Sequence, residues 1–366
     1  MKKILIITEA GDAYPSGKIR AFIYKDLFLK NGYDVKFKSC LIPFITKFYV
    51  NNNAIVLLLK RTGIFHFFHF LNSKIFRQIN IFFILLFSKK YDIIYLQKIF
   101  SLKLVSKLRK TGRARLIYDL NDGLWLPTWH DTTGGDIEQI LISVDAITCD
   151  NPFGIEYAKK LNSNSYLIPD SPQVELFDLY RNKFKRNSGI TIGWVGTPGT
   201  LFNLYSIWEP LESIFKQFDH VHLRIVGGGN DISLLPPFEN VRYSVKPFYS
   251  QTELIEEVLK MDIGLFPLFH VENSMARGIL KAAVYMSGEV AVIGSAVGQS
   301  VELIRDGVNG MLASNNSEWE EKLEQLISNI ELRKKIARSG LETVRSNFTI
   351  ASNFEKLLSV FEGTNG

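Results

Sequence analysis

The sequence contains only two cysteines, Cys40 and Cys149, in 366 residues. Neither has a second cysteine nearby or a spacing typical of a metal site, so no disulfide framework is predicted. His66 and His69 are three residues apart, but no third ligand accompanies them. The sequence therefore predicts no metal site, and we expect a metal-independent protein.

Long apolar runs are also missing. The amino end, MKKILIITEA, has an apolar run that is too short for a secretory signal and predicts a first strand. The longest uninterrupted run of an aromatic segment further along, IFFILLF, is too short to span a bilayer. We therefore expect a reducing, cytoplasmic location.

A strong excess of one charge is the third absence. The net charge is +6, from 43 Lys and Arg against 37 Asp and Glu. This modest excess suits an anionic substrate or an anionic membrane surface. No basic repeat alternates with aromatic residues, so a nucleic-acid partner is not predicted.

The residues that are present predict a folded α/β protein. The chain is 46% apolar and 22% charged, and its length suits two domains. Strand patterns alternate with helix patterns in two series, which is typical of doubly wound α/β domains. We predict domains at residues 1–172 and 188–348, a charged linker between them, and a last helix at 349–362.

The stretch 262–310 of the second series combines cations with helix starts. A short apolar strand is followed by a loop and by a helix predicted to begin near Gly278. Arg277 and Lys281 are four residues apart, on one face at the start of that helix. Because the unpaired N–H groups of a helix start attract anions, these residues predict a diphosphate site.

The same stretch resembles the nucleotide-sugar site of retaining GT-B glycosyltransferases of family 4. Their pattern runs roughly K-x-x-E-Y-M-A-x-G-x-P-V-V-x-S-x-x-G-x-x-E-x-I-x-x-G-x-N-G. The matching positions are Lys281, Tyr285, Met286, Gly288, Val290, Val292, Ser295, Gly298, Glu302, Ile304, Gly307, Asn309 and Gly310. Alternatively, these glycines and apolar residues only turn and pack a Rossmann-like layer.

The resemblance implies a fold and a reaction. It implies an α/β GT-B fold, with two Rossmann-like doubly wound domains facing a central cleft and the last helix crossing back onto the first domain. It also implies transfer of a hexose from a nucleotide-sugar to a surface polysaccharide or a lipid-linked glycan, with retention of configuration. The nucleotide-sugar is then a co-substrate of undefined nucleotide, and no cofactor is expected.

The resemblance also implies donor-site residues. Arg277 and Lys281 would stabilise the departing diphosphate electrostatically. The expected donor contacts lie in turns that follow strands of the second domain, and they are Gly196, Thr197, Thr200, Gly227, Gly278, Ser295, Gly298, Gln299 and Glu302.

Acceptor contacts are expected in the first domain. Gly11, Gly17 and Arg20 follow the first strand, although Arg20 could equally be an ordinary solvated helix cation. Asp119 and Asp122 end a later strand, where they could orient an acceptor hydroxyl or cap a helix. We assign Asp119 to acceptor binding and Asp122 to catalysis. His130, in a Trp-rich loop, is a further acceptor candidate with a structural alternative.

Two departures from the family pattern keep other functions open. The usual pair of glutamates is replaced by Ala276 and Val284, whose side chains cannot accept hydrogen bonds. The loop GTPGTLFN lacks the usual cations, so the hydroxyls of Thr197 and Thr200 are expected to hold phosphate instead. A non-catalytic GT-B subunit that binds glycan or stabilises a partner transferase is therefore the main alternative. A nicotinamide-dependent oxidoreductase, suggested by IVGGGN, ranks last.

Residues 65–90 are aromatic and basic. This mixture is typical of a helix at a membrane interface, or of one packed on the sheet with its charges outward. Since many relatives use lipid-linked acceptors, we predict peripheral contact with an anionic membrane, on its inner face.

Overall fold

The computed structural model describes residues 2–50, 64–126, 134–184, 189–230, 235, 241–247 and 249–364. The chain forms two compact units, residues 1–170 with 350–366 and residues 171–349. The expected linker contains a helix of the second unit, Val174–Tyr180. Val174 and Phe177 are buried in the core of that unit, so this part of the linker is structural.

The first unit is built on a six-stranded parallel sheet in the order β2-β1-β3-β4-β5-β6. Its strands are β1 Lys3–Thr8, β2 Asp34–Ser39, β3 Ile93–Gln97, β4 Arg115–Leu120, β5 Ala146–Cys149 and β6 Ser165–Leu167. β3 is buried at every position, because helices cover both faces of the sheet.

The described helices of this unit precede, connect and follow the strands. They are α1 Pro15–Arg20, α2 Lys25–Lys30, α3 Pro43–Val50, α4 Ile64–Leu71, α5 Arg77–Ser88, α6 Leu102–Thr111, α7 Gly134–Ser143, α8 Pro152–Leu161 and α17 Ile350–Glu362. A π-helical turn, Asn72–Phe76, joins α4 to α5. Helices α5 to α8 share one core with the sheet, whereas α2 and α17 pack on its other face.

The last helix belongs to the core of the first unit. The Phe354 and Phe361 rings of α17 lie 4.9 and 5.5 Å from that of Phe28, centroid to centroid. The Asn353 side chain donates to the carbonyl oxygen of Pro169 at 2.7 Å. Aromatic packing and this buried hydrogen bond fix the carboxyl end of the chain against the first sheet.

The segment after β1, EAGDAYPSGKIR, becomes helical at Pro15, where α1 begins. Proline suits the first turn of a helix because its φ angle is already helical and its missing N–H is not needed there.

The second unit repeats the architecture with a parallel sheet in the order β12-β11-β10-β7-β8-β9. Its strands are β7 Ile190–Val195, β8 Val221–Val226, β9 Tyr243–Lys246, β10 Ile263–Phe266, β11 Ala291–Ser295 and β12 Met311–Ala313. Its described α-helices are α9 Val174–Tyr180, α10 Trp208–Gln217, α11 Gln251–Leu259, α12 Glu272–Met275, α13 Leu280–Ser287, α14 Ser300–Leu303, α15 Asn316–Ser328 and α16 Ile330–Asn347. A 3-10 helix, Pro198–Ile207, follows β7.

Candidate active site

The second unit holds a lysine at the carboxyl edge of its sheet. Lys281 lies in the first turn of α13, and its Nζ donates to Thr200 Oγ1 at 3.0 Å. The same ammonium lies 5.0 Å from the centroid of the Trp194 ring. Trp194 belongs to β7 and Thr200 to the 3-10 helix after it. Among the described residues, no carboxylate forms an ion pair with Lys281.

The electrostatic state of Lys281 follows from this environment. Burial and, secondarily, the charge of Arg277 lower the pKa of Lys281 to about 7. Burial acts by removing water from the ammonium, and Arg277 acts by electrostatic repulsion. An anion bound here would reverse both effects, because it supplies opposite charge and strong acceptors.

Arg277 reaches this site from a loop. Helix α13 begins at Leu280, two residues later than predicted, so Arg277 and Gly278 lie between α12 and α13. The expected shared helical face of Arg277 and Lys281 is therefore wrong, although the two charges interact. The roles of Arg277, Gly278 and Lys281 toward a diphosphate stay predictions.

The turn after β7 is closed by hydroxyl hydrogen bonds. The Thr197 N–H donates to Thr200 Oγ1 at 3.1 Å, and that hydroxyl donates to the Thr197 carbonyl oxygen at 3.1 Å. Gly227, after β8, has φ +86° and leaves no space for a side chain, since a Cβ would lie 2.1 Å from the Gly196 carbonyl oxygen. The two loops thus meet backbone to backbone, which glycine alone permits.

The turn after β11 contains the other expected donor residues. Ser295 Oγ accepts the N–H of Leu268 at 2.9 Å and thereby ties the ends of β10 and β11 together. Gly298 has φ +57°, Gln299 is buried, and Glu302 is exposed on α14. These residues share the carboxyl edge with Lys281, and their contacts to a donor stay predictions.

The positions of the missing glutamates are apolar in the fold as well as in the sequence. Ala276 is fully buried and Val284 is nearly so, within the core of the second unit. Glu272, which is near them in the sequence, is exposed on α12.

The first unit holds a buried arginine in the middle of its own polar cluster. Arg20 forms two hydrogen bonds to the Asp119 carboxylate, at 2.8 and 2.7 Å. It also donates to the Ile168 carbonyl oxygen at 2.9 Å and to Asp170 Oδ1 at 2.8 Å. Thr148 Oγ1 adds a third donor to Asp119 at 2.8 Å.

The reading of Arg20 as a solvated helix cation is therefore wrong, because its side chain is only 3% exposed. The alternative roles predicted for Asp119, capping a helix and bonding to a loop, also differ from its observed contacts. Acceptor binding by Arg20 or Asp119 stays a prediction, but an acceptor would have to replace existing ion pairs. Asp170 could not be predicted as a partner, since it lies 150 residues from Arg20 along the chain.

A second group of polar residues follows β3, β4 and β5. Asp122 accepts from Lys98 Nζ at 2.9 Å, and both residues have positive φ angles, +58° and +54°. Asp150 accepts from Asn121 and Asn151, each at 2.8 Å. Burial raises the pKa of Asp150 to about 7, against the opposing effect of Arg20. Repulsion from Asp170, Asp122 and Asp119 contributes to this increase.

Sequence reasoning missed Lys98 and Asp150 in this group. Both directly follow strands at the carboxyl edge, and this position was the available signal. The left-handed backbone of Lys98 and Asp122 costs free energy, and such strain is found where surrounding structure holds a site. The catalytic role assigned to Asp122 stays a prediction.

The remaining acceptor-site candidates of the first unit are Gly11, Gly17 and His130, and the structure describes only the two glycines. Gly17 lies in α1, where a Cβ would come 2.2 Å from the Gly11 carbonyl oxygen, so its glycine is required by packing. Gly11 is the first residue of a 3-10 turn, Gly11–Ala13, that lies before this helix, and its φ is +64°. His130 lies outside the described residues. Within the described residues, no cluster of His, Cys, Asp or Glu could hold a metal ion.

Comparisons with known proteins agree with this architecture. Residues 190–329 match the family model described as Glycosyl transferases group 1. Sucrose-phosphate synthase from Thermosynechococcus elongatus superimposes with a TM-score of 0.66 at 14% identity, covering 99% of each chain. HepE from Anabaena, in complex with UDP and glucose, gives 0.67 at 13% identity, covering 99% of this chain and 100% of that one.

A glycosyltransferase from Rickettsia africae gives 0.67 at 14% identity, covering 100% of this chain and 99% of that chain. A search of curated proteins finds no match. The predicted GT-B fold class is confirmed, and residues 190–329 match the predicted family. The second unit is thus a glycosyltransferase domain within a GT-B fold.

Proposed function

We propose that this chain, whose second unit belongs to the glycosyl transferases group 1 family, is a catalytically active hexosyltransferase. Its donor would be a nucleotide-sugar and its acceptor a surface polysaccharide or a lipid-linked glycan. The family resemblance supports retention of configuration and a metal-independent reaction without a cofactor.

The observation that carries this proposal is the state of Lys281. It is a half-buried amine at a carboxyl edge, with a hydroxyl and an aromatic ring as its described partners, and its pKa is lowered to about 7. A cation in this position is destabilised in the free protein and gains from a bound anion. The diphosphate of a nucleotide-sugar is such an anion, and it acquires negative charge as the glycosidic bond breaks. Lys281 and Arg277 would therefore stabilise the leaving group more strongly in the transition state.

The donor is proposed to be a uridine diphosphate sugar. The HepE structures hold UDP, UDP with glucose, or UDP-glucose in the same fold. We extend this donor class to the present chain, with UDP-glucose as the first donor to test. The hydroxyl and backbone groups of the turns after β7 and β11 would hold the remaining donor atoms.

The acceptor is proposed to meet the carboxyl edge of the first unit. Asp122 there would accept a hydrogen bond from the acceptor hydroxyl, with Lys98 holding the carboxylate in place. We further propose a cytoplasmic location with peripheral contact to the inner face of the membrane. The enzyme could then act on a lipid-linked acceptor while the lipid of that acceptor stays in the bilayer.

The test is release of UDP from a panel of nucleotide-sugars, with a membrane extract as the acceptor source. Turnover should be lost in Lys281→Ala and retained in Lys334→Ala, a control at an exposed lysine of α16. The competing hypothesis of a non-catalytic subunit draws on Ala276 and Val284. Absence of turnover with every donor, together with stable co-purification of another transferase, would establish that alternative.

A further inference from the structure

One side of the long helical segment in the first unit is covered by exposed apolar side chains. We call this side the aromatic face; its members are Phe67, Phe68, Phe70, Ile75, Ile79, Phe82, Phe83, Leu86 and Phe87. Phe82 is 61% exposed and Phe67 is 59% exposed. Single exposed apolar residues are common on soluble proteins, but a contiguous face of this length marks an interaction surface.

The opposite side of the segment uses polar residues to bind the domain. Asn72 accepts the N–H of Ile42 at 2.8 Å, and Arg77 Nε donates to Glu9 at 2.9 Å. Asn80 donates to the carbonyl oxygen of Cys40 at 3.0 Å. A helix packed on a sheet normally buries its apolar side and exposes its charges. The expectation of charges directed outward is therefore wrong for Arg77, although Lys74 is exposed and Ile81 and Ile84 are buried against the domain.

The length of this helical segment does not exclude that it spans a membrane, although its longest uninterrupted apolar run suggested that it is too short. His66–Ser88, 23 residues, is long and apolar enough to cross a bilayer by length and composition. However, Arg77 is paired with Glu9, and Asn72 and Asn80 bond to the backbone of the first unit. These contacts hold the segment along the surface of the folded unit, with one side available. This arrangement favours a helix lying in the membrane interface over one that spans it.

A basic surface adjoins the aromatic face. Helices α5 and α6 pack against each other and bury residues in the same core on one face of the sheet. Their remaining sides therefore both point away from the sheet. The exposed side of α6 contains Lys103, Lys107 and Lys110, which we call the basic face.

The sequence around these faces is strongly biased in charge. Residues 64–118 contain eleven Lys and Arg but only one acid, Asp92. The net charge of the whole chain is only +6, so positive charge is concentrated in this region. Apolar side chains beside clustered cations complement an anionic lipid bilayer, since lysines attract the headgroups while aromatic rings enter the interface.

The direction of the helix relates this surface to the candidate acceptor residues. Arg77 and Asn80 contact Glu9 and Cys40, which directly follow β1 and β2 at the carboxyl edge of the sheet. The chain then runs along α5 toward the start of β3. The residues before the π-helical turn, including Phe67 and Phe70, therefore extend beyond the carboxyl edge, the edge at which Asp122 and Asp150 lie.

We infer that the aromatic face and the basic face together dock the first unit onto an anionic lipid bilayer. The aromatic helical segment then lies parallel to the membrane surface. Docking brings the carboxyl edge with Asp122 to the membrane surface, where a lipid-linked acceptor is presented. The lipid-linked acceptor and the peripheral membrane contact rest on the proposed function, which this inference deepens by assigning the docking surface to named residues.

The test is co-flotation of the purified full chain with vesicles. Binding is expected to vesicles of phosphatidylglycerol with phosphatidylcholine, to weaken as salt rises, and to be much weaker with phosphatidylcholine alone. Reversing three charges, in Lys103→Glu/Lys107→Glu/Lys110→Glu, should lower the affinity on the order of 100-fold. Phe82→Ser/Phe87→Ser should also release the protein. Both residues are exposed, so folding should be retained, as checked by circular dichroism.

Matched variants of the second unit serve as controls. Lys334→Glu/Lys335→Glu and Ile330→Ser change exposed residues of α16 and should leave vesicle binding unchanged. Lys281→Ala should bind vesicles normally while losing turnover, and Phe82→Ser/Phe87→Ser should still bind UDP. Failure of docking and failure of the proposed transferase are thus distinguishable.

Three outcomes overturn the inference. The first is no flotation with anionic vesicles at low salt. The second is a lipid-free dimer that Phe82→Ser/Phe87→Ser abolishes, which would assign the aromatic face to a second copy of the chain. The third is protein that stays in the membrane fraction of cells after alkaline extraction. This result would show that the helix spans the membrane.

Discussion

Each unit places a cation at the carboxyl edge of its sheet, but Arg20 is buried whereas Lys281 is half-buried, and their partners differ. Arg20 of the first unit is surrounded by two carboxylates and a carbonyl oxygen. Lys281 of the second unit has a hydroxyl and an indole ring as its described partners. A buried charge that is fully paired holds a structure together, whereas one lacking a counter-charge is prepared for a ligand.

The choice of residue type fits this difference. The planar guanidinium of Arg20 forms a bidentate pair with Asp119 and keeps its charge at all relevant pH values. The ammonium of Lys281 can lose its proton, and burial lowers its pKa to about 7. The same edge of a Rossmann-like sheet is thus used for stability in one unit and, we propose, for binding in the other.

The largest expected effect is loss of stability when Arg20 is removed. Arg20→Met leaves Asp119 and Asp170 in a buried site without their cation, which should cost about 3–5 kcal/mol of unfolding free energy. Urea unfolding of the first unit measures this loss. Arg109→Met is the matched control, because its pair with Asp145 is exposed and should contribute only about 0.2–1 kcal/mol. Equal losses in both variants would show that the Arg20 cluster is not a special stabilising element.

Replacing Lys281 should have opposite effects on stability and on binding. Lys281→Met removes a desolvated ammonium, so the melting temperature of the free protein should rise. It also removes a charge-assisted contact to the diphosphate, worth about 1.5–3 kcal/mol of UDP binding, or roughly tenfold to a hundredfold in Kd. Thermal melting and calorimetric titration with UDP measure the two effects. A variant that melts lower and binds UDP normally would assign Lys281 to structure, like Arg20.

The pKa of Lys281 predicts a pH dependence of donor binding. A bound diphosphate raises this pKa above its free value of about 7, so binding takes up a proton at higher pH. Affinity for UDP-glucose should therefore be greatest below about pH 7 and fall as pH rises, by at most about tenfold per pH unit. UDP-glucose suits this titration because its diphosphate does not change its own charge in this range. A flat profile is expected for Lys281→Met, and a flat wild-type profile would contradict the assignment.

Lys281 should also make the stability of the free protein depend on pH. Stability should increase with pH, whereas the affinity for UDP-glucose should decrease. The folded pKa of Lys281 lies below its ordinary value of 10.5, so the unfolded chain binds more protons between about pH 7 and 10.5. Its contribution to stability therefore increases as pH rises through that window. The increase should be missing in Lys281→Met.

The sequence predicted strands and glycine turns well because these depend on local patterns. Strands such as β3 are uninterrupted apolar runs, and Gly227 lies where the backbone must turn sharply. The partners of Arg20 could not be predicted, because Asp119 and Asp170 lie 99 and 150 residues away along the chain.

The aromatic helix exposes a different limit. The usual rule that a helix directs its charges to solvent assumes that water surrounds the protein. Residues 64–88 break the rule by burying Asn72 and pairing Arg77 inward, and only the structure shows which side faces the domain.

The smallest expected effect concerns Asp150, which lies between the two extremes of the comparison. It is buried like Arg20, and its hydrogen-bond donors include the amides of Asn121 and Asn151 and the thiol of Cys149. Burial, with the repulsion of Asp170, Asp122 and Asp119, raises the pKa of Asp150 to about 7 despite the charge of Arg20. The unfolded chain has the lower, ordinary value of 3.8, so this group lowers stability as pH rises from about 4 to 7.

Asp150→Asn abolishes the titration, and its stability relative to wild type should therefore improve from pH 5 to pH 8. Urea unfolding at the two pH values measures the change, with exposed Asp219→Asn as a control that should show none. If the difference between Asp150→Asn and wild type is the same at both pH values, Asp150 does not titrate between them and the raised pKa assigned to it is wrong.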